Sequence, residues 1–258
     1  MKIHTLITGI LILITSCRDK EKNETIEIQS QKNEEVKLED YIVYENPFLK
    51  MDSDADIFYN NVKLQKDGML FDGQDKSPSF IKVPFTILDL SKPFNISFSY
   101  NTSSDDGSKP QTFIALVDDY SSPGRNIPLF IYTAGKRITG VYGDQALWAE
   151  NYFRSEGESK SYYDSYQLKS NEFYFVSINF TGNTIEIYVN SELYSSFDNI
   201  KPHELKYKTM LIGALPEGDT FVTQFSGVIH GLKIFNKALS EKEIVSVYNL
   251  QPYVEIVN

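Results

Sequence analysis

The chain has 258 residues, 41% of them apolar and 14% aromatic, with 25 Lys and Arg against 35 Asp and Glu, a net charge of −10. That length buries a real core in one domain, and the acidic balance argues against a nucleic-acid partner, whose phosphates need clustered Lys and Arg. One Cys excludes internal disulfides, Cys-based zinc sites and Cys-X-X-Cys redox pairs.

The sequence opens Met1-Lys2-Ile3-His4 and turns apolar from Leu6 to Ile14. A basic start before a run too short to span a bilayer reads as a secretory signal over residues 1–16. The run ends Ile14-Thr15-Ser16-Cys17, which resembles the lipobox of bacterial lipoproteins. The resemblance implies a lipid anchor on Cys17 and a place in the cell envelope, at the outer membrane. Each buried acyl methylene contributes ~0.8 kcal/mol, so more than one acyl chain holds durably. Residues 17–40 then read as a charged tether. Of the 23 residues from Arg18 to Asp40, thirteen are charged and none is Gly, Pro or aromatic. Such a segment has little to bury and, as a coil, reaches ~25 Å.

Residues 41–258 read as one β domain. Asp52-Ser53-Asp54-Ala55-Asp56 has an EF-hand's opening but lacks its Gly and Glu, since Ile57 and Lys63 stand there, so it reads as a solvated acidic turn. Phe94 to Tyr100 alternates strictly, placing four large side chains on one sheet face. Gln111–Val117 and Leu129–Tyr132 also read as strands. Phe173–Phe180 and Thr184–Val189 flank Gly182-Asn183, a two-residue hairpin turn with Gly supplying the positive φ. Glu192–Phe197 and Thr209–Ile212 follow as further strands. One helix is signalled: Ser240 and Glu243 form a capping box, Ile244, Val247 and Tyr248 share a face, and Pro252 stops the run.

Val141 to Tyr166 departs from this pattern, with seven aromatics in 26 residues and poor alternation. Sugar rings stack their C–H faces on aromatics and direct hydroxyls at Asp, Asn and Arg. On that chemistry the candidate ligand residues are Trp148, Tyr142, Tyr152, Tyr163, Asn151 and Arg154, with Asp119 and Arg125 from a second polar–aromatic loop. The alternative is that these aromatics pack a long loop or cover the sandwich.

The C-terminal segment Phe225-Ser226-Gly227-Val228-Ile229-His230-Gly231-Leu232-Lys233-Ile234-Phe235-Asn236-Lys237-Ala238-Leu239-Ser240, followed by Glu243-Ile244 and Tyr248, resembles the ending of concanavalin A-like, laminin-G-like jelly rolls. Leu70-Phe71-Asp72-Gly73, Ile187-Tyr188-Val189-Asn190 and Leu211-Ile212-Gly213 resemble further anchors of that family. The resemblance implies an all-β, antiparallel two-sheet jelly-roll sandwich with one short C-terminal helix. Relatives that bind calcium do so near the Asp72 turn and an Asp for which this chain has His230. Calcium gains nothing from imidazole, so no cofactor is expected and Asp72 is the one candidate metal ligand. By strand alternation His230 shares a face with Val228, Leu232 and Ile234 and packs neutral. Ser191 replaces the Gly of the family hairpin, which implies a looser turn.

The fold leaves three functional readings open. The first is a non-catalytic carbohydrate-binding lipoprotein. The second is an adhesion or structural module contacting protein or cell-wall material. The third is a glycoside hydrolase or lyase, for which the usual Glu-x-Asp-x-x-Glu strand is missing. Glu156-Gly157-Glu158 has the carboxylate spacing but sits among Gly, Ser and Lys. Neither His-Glu-x-x-His nor Gly-x-Ser-x-Gly occurs.

Overall fold

Antiparallel pairing of alternating strands builds two sheets in the computed structural model. It describes residues 37–48, 50–51, 56–73, 78–102, 110–118, 127–134, 137–143, 152–153, 168–200, 206–217 and 220–251. The eight-stranded sheet runs β13 (Glu192–Phe197), β12 (Ile185–Val189), β11 (Phe173–Phe180), β6 (Phe94–Thr102), β17 (Ser226–Phe235), β4 (Gly68–Asp72) and β3 (Lys63–Gln65). Strand β1 (Ile42–Asn46) pairs with the second half of β17. The seven-stranded sheet runs β10 (Tyr152–Phe153), β9 (Arg137–Tyr142), β8 (Leu129–Ala134), β7 (Gln111–Val117), β14 (Thr209–Ile212), β5 (Phe80–Pro84) and β2 (Phe58–Asn60). A small hairpin of β15 (Leu215–Glu217) and β16 (Thr220–Val222) follows β14. Two antiparallel sheets and one C-terminal helix make the expected jelly-roll sandwich.

The core lies between the sheets. Phe94, Ile96, Phe98 and Tyr100, every second residue of β6, face Ile114 and Leu116 of β7 and Met210 and Ile212 of β14. Aromatic rings knit one end: Phe113 lies 4.6 Å from Tyr100 and 5.3 Å from Phe225. Each fully buried apolar side chain of this kind contributes ~1.5–3 kcal/mol.

The turn at Gly182-Asn183 forms as expected. Gly182 has φ +115°, and the Thr181 N–H donates to the Thr184 carbonyl at 2.9 Å. The next hairpin corrects the sequence reading. Val189 pairs with Glu192, so Asn190 and Ser191 form an equally short turn, with φ of +50° and +68°. Ser191 takes the left-handed conformation that Gly would adopt without steric cost.

The outer face of the eight-stranded sheet carries a polar layer beneath the helix α1 (Glu241–Asn249). Asn95, Ser97, Ser177 and Asn179 are all buried and bonded to one another. Asn179 holds the approach to the helix, accepting from the Leu239 N–H at 2.7 Å and donating to the Leu239 carbonyl at 3.0 Å. Helix α1 starts on the expected capping box: the Ser240 N–H donates to Glu243 Oε2 at 2.8 Å, and the Glu243 N–H to Ser240 Oγ. Its Ile244 and Val247 pack on Phe175, Tyr188, Phe235 and Leu239, joined by Leu38, Tyr41 and Ile42 from the first described residues.

Strand β17 also departs from simple alternation. Ile229, Leu232 and Ile234 all enter the core between the sheets, which a strict period of two forbids. A bulge between His230 and Lys233, with Gly231 at φ +62°, reverses the facing. His230 therefore lies on the outer face, not with Leu232 and Ile234. It is still buried, 3% exposed, and desolvation lowers its pKa, partly opposed by the Asp67 carboxylate. A Cβ on Gly231 would lie 2.8 Å from Gln251 Oε1, which also accepts from Ser99 Oγ.

Candidate functional site

The outer face of the seven-stranded sheet has its own buried layer, separate from the core. Ile81 and Val83, Leu129 and Ile131, and Met210 and Ile212 point inward. The alternate residues point outward, and register aligns one row of them across six strands: Val141, Phe130, Ala115, Leu211, Lys82 and Phe58. Phe130 stacks on Tyr132 with ring centroids 4.4 Å apart and planes 16° apart. In the neighbouring row Tyr132 is flanked by Thr139 and Thr112, and the Thr112 hydroxyl is bonded to that of Thr223 at 2.7 Å.

This face is graded along its length. Phe130 and Tyr132 are only 8% and 7% exposed, whereas Phe58 at the β2 edge is 54% exposed, with its ring 5.9 Å from that of Phe80. Lys82, half-buried, stands opposite Phe58 in the β2–β5 ladder. The Phe130–Tyr132 stack and the neighbouring threonines Thr112 and Thr139 are closed off from solvent, so the part of this face that suits a ligand with apolar faces is the open Phe58 edge.

A family model described as the concanavalin A-like lectin/glucanases superfamily matches residues 75–245. The chain belongs to that superfamily. Among solved structures it is similar to the botulinum neurotoxin serotype D binding domain, at TM-score 0.59 and 21% identity, over 83% of this chain and 53% of that one. It is similar to the serotype D ligand-binding domain in complex with N-acetylneuraminic acid, at TM-score 0.58 and 18% identity, over 83% and 52%. The receptor-binding domain of the C/D mosaic serotype gives TM-score 0.58 and 18% identity, over 82% and 52%. At such identities the likeness is one of fold, and the chain spans about half the length of these binding domains. No curated protein sequence matches it.

In this concanavalin A-like chain the predicted ligand residues fall into three groups. Tyr142 is corrected outright. It closes β9 rather than opening a loop, its side chain is fully buried between the sheets, and its hydroxyl donates to the Leu90 carbonyl. It has no open face to offer a sugar. Tyr152 is the register partner of Val141 in β10, which puts its position at the end of the Phe130 row. Trp148, Asn151, Arg154, Tyr163, Asp119, Arg125 and Cys17 lie outside the described residues.

Asp72 is exposed, and its N–H donates to Ser79 Oγ at 3.1 Å. Among the described residues no group of three or more His, Cys, Asp or Glu could hold a metal ion. Sequence reasoning missed Phe130, Tyr132, Lys82 and Phe58. Alternation in Leu129–Tyr132 already put Phe130 and Tyr132 on one face, but only the sheet order says that this face looks outward.

Proposed function

We propose that this chain is a non-catalytic carbohydrate-binding protein of the bacterial cell envelope, attached through a lipidated Cys17. The observation that carries the binding half is the β2 edge of the seven-stranded sheet's outer face, where Phe58 is 54% exposed with the Phe80 ring 5.9 Å from it, in a superfamily that includes lectins. A structural neighbour solved with N-acetylneuraminic acid supports the same reading. Tyr152 of β10, together with Trp148, Tyr163, Asn151, Arg154, Asp119 and Arg125, supplies the rest of the contacts on this reading. Binding of the purified domain to an array of envelope and host glycans tests it. Retention of no glycan at all would overturn it.

The anchor has its own support in the Ile14-Thr15-Ser16-Cys17 string. Cys17→Ala abolishes labelling by a palmitate analogue if that cysteine is acylated, and persistent labelling would sink the assignment.

A hydrolase reading gains nothing from this face. Within its seven strands there is neither Asp nor Glu, so a pair of carboxylates for glycosidic cleavage cannot be drawn from them.

A further inference from the structure

The outer face of the eight-stranded sheet is sealed over only part of its length. Under α1 the outward rows are closed: Asn95 with Asn179, Ser97 with Ser177, and Ser99 with Phe175 are each at most 1% exposed. The next row is open. Register carries it across five strands as Phe173, Asn101, Val228, Leu70 and Lys63, from β11 to β3. These residues look outward because Tyr174, Tyr100, Ile229 and Met69 beside them point into the core. Lys63 is exposed and the other four are half-buried, and three of those four are apolar.

The C-terminal segment travels toward this row. It enters the face at Leu239, whose N–H and carbonyl are both held by Asn179 in the Asn95 row. At the far end of α1, Tyr248 sets its ring 5.6 Å from that of Phe175, and Gln251 Oε1 accepts from the Ser99 hydroxyl at 3.2 Å. Both therefore stand two rows farther along β6. Gln251 is fixed there, because its amide also donates to the Val247 carbonyl at 3.2 Å and its Oε1 fills the space that a Cβ on Gly231 would need. Residues 252–258 follow, outside the described set, with Tyr253, Val254, Ile256 and Val257 around a single charge at Glu255. Successive outward rows on a strand are ~6.8 Å apart, a step of two or three extended residues. The five strands of the open row span ~19 Å, and a seven-residue extended segment covers ~23 Å.

We propose that residues 252–258 dock along this row, with Val254 and Ile256 laid on Phe173, Val228 and Leu70 and Glu255 turned to water. Alternation in an extended segment puts those two side chains on the face opposite Glu255. The C-terminal clip then covers the whole outer face of this sheet rather than the part under α1 alone. Glycan binding at the Phe58 edge, on the other sheet, neither supports nor opposes this docking.

The test begins with the full chain. Val254→Asp together with Ile256→Asp lowers the melting temperature by about 4–8 °C, since two apolar side chains lose their cover, whereas Glu255→Gln leaves it within about 2 °C. A chain cut after Gln251 binds a fluorescent peptide of residues 252–258 about tenfold or more tightly than the full chain does, because the attached segment competes for the row in the full chain. Fluorescence anisotropy reads that ratio, and Val228→Asp in the cut chain abolishes the binding. Melting curves show whether the cut chain is folded; if it is not, the double substitution decides alone.

A melting temperature unmoved by the two Asp substitutions overturns the docking. So does peptide binding that is equal in the cut and full chains, or that survives Val228→Asp. A full chain that sediments as a dimer and becomes monomeric on Val228→Asp also overturns it, by giving the row to a second copy.

Discussion

Replacing Asn179 with Ala should uncouple the C-terminal helix from the sheet beneath it. Asn179 is 1% exposed and uses its side-chain amide as a second backbone would, satisfying both the N–H and the carbonyl of Leu239. It also donates to Glu186 Oε2 at 3.0 Å and accepts from the Asn95 amide at 3.3 Å. Truncation strands two buried backbone groups of Leu239. Each such group costs about 1–3 kcal/mol, so the pair predicts a loss of roughly 2–6 kcal/mol, with the lower half favoured if water enters. For a domain of this size, ~3 kcal/mol corresponds to a melting temperature lower by about 6–12 °C. Urea unfolding followed by two probes gives the free energy, and hydrogen exchange on residues 241–249 locates it. Those amides should lose protection more than the amides of β11 and β12. A loss below about 1 kcal/mol, or unchanged exchange in α1, would refute the claim that this amide bracket docks the helix.

Three further outcomes follow from the same reasoning. Ser191→Gly should stabilise the domain by about 0.5–1 kcal/mol in urea unfolding, because relief of a left-handed residue (about 1–2 kcal/mol) exceeds the extra chain entropy of Gly (about 0.4–1 kcal/mol). Tyr142→Phe should cost about 1–2 kcal/mol by leaving the Leu90 carbonyl unbonded, and should leave glycan affinity unchanged, since the ring is internal. Burial holds the His230 pKa below its ordinary value near ~6.5, so the unfolded chain takes up the proton first. Stability should therefore be level above about pH 7, begin to fall near ~6.5 and stop falling below the folded-state pKa. Thermal melts across that range should show this fall in the parent protein and a smaller one in His230→Gln. A parent curve that is flat would show that His230 is not desolvated.

Strands with sustained patterning could be read to the residue. Gln111–Val117, Phe173–Phe180, Glu192–Phe197 and Thr209–Ile212 form as expected, and so does the helix behind Ser240. Four signals were weaker for physical reasons. β2, β3 and β10 are two or three residues long, below the length at which alternation can be recognised. Val141 and Tyr142 look like the start of an aromatic loop because the strand they end contains Gly140 and the polar Thr139. Alternation gives His230 its burial but not its face, since one left-handed Gly231 shifts the period of everything after it. The Phe58–Lys82 pair was illegible because its two members are 24 positions apart and meet only through strand pairing.

The two ends of the described chain lie on one side of the sandwich. Leu38, Tyr41 and Ile42 pack against the same cluster as α1, and Lys237 sits 4.4 Å above the Tyr41 ring while paired with Glu243 at 2.6 Å. The Phe130 and Phe58 row is on the far side, beyond both sheets, whose backbones stack ~10 Å apart in packings of this kind. A linker joined at Lys37 therefore starts from the side away from that row. A bead, sensor chip or fluorescent partner joined there leaves the opposite surface turned toward solution, whereas the same partner inserted at the β2 edge would stand in front of it.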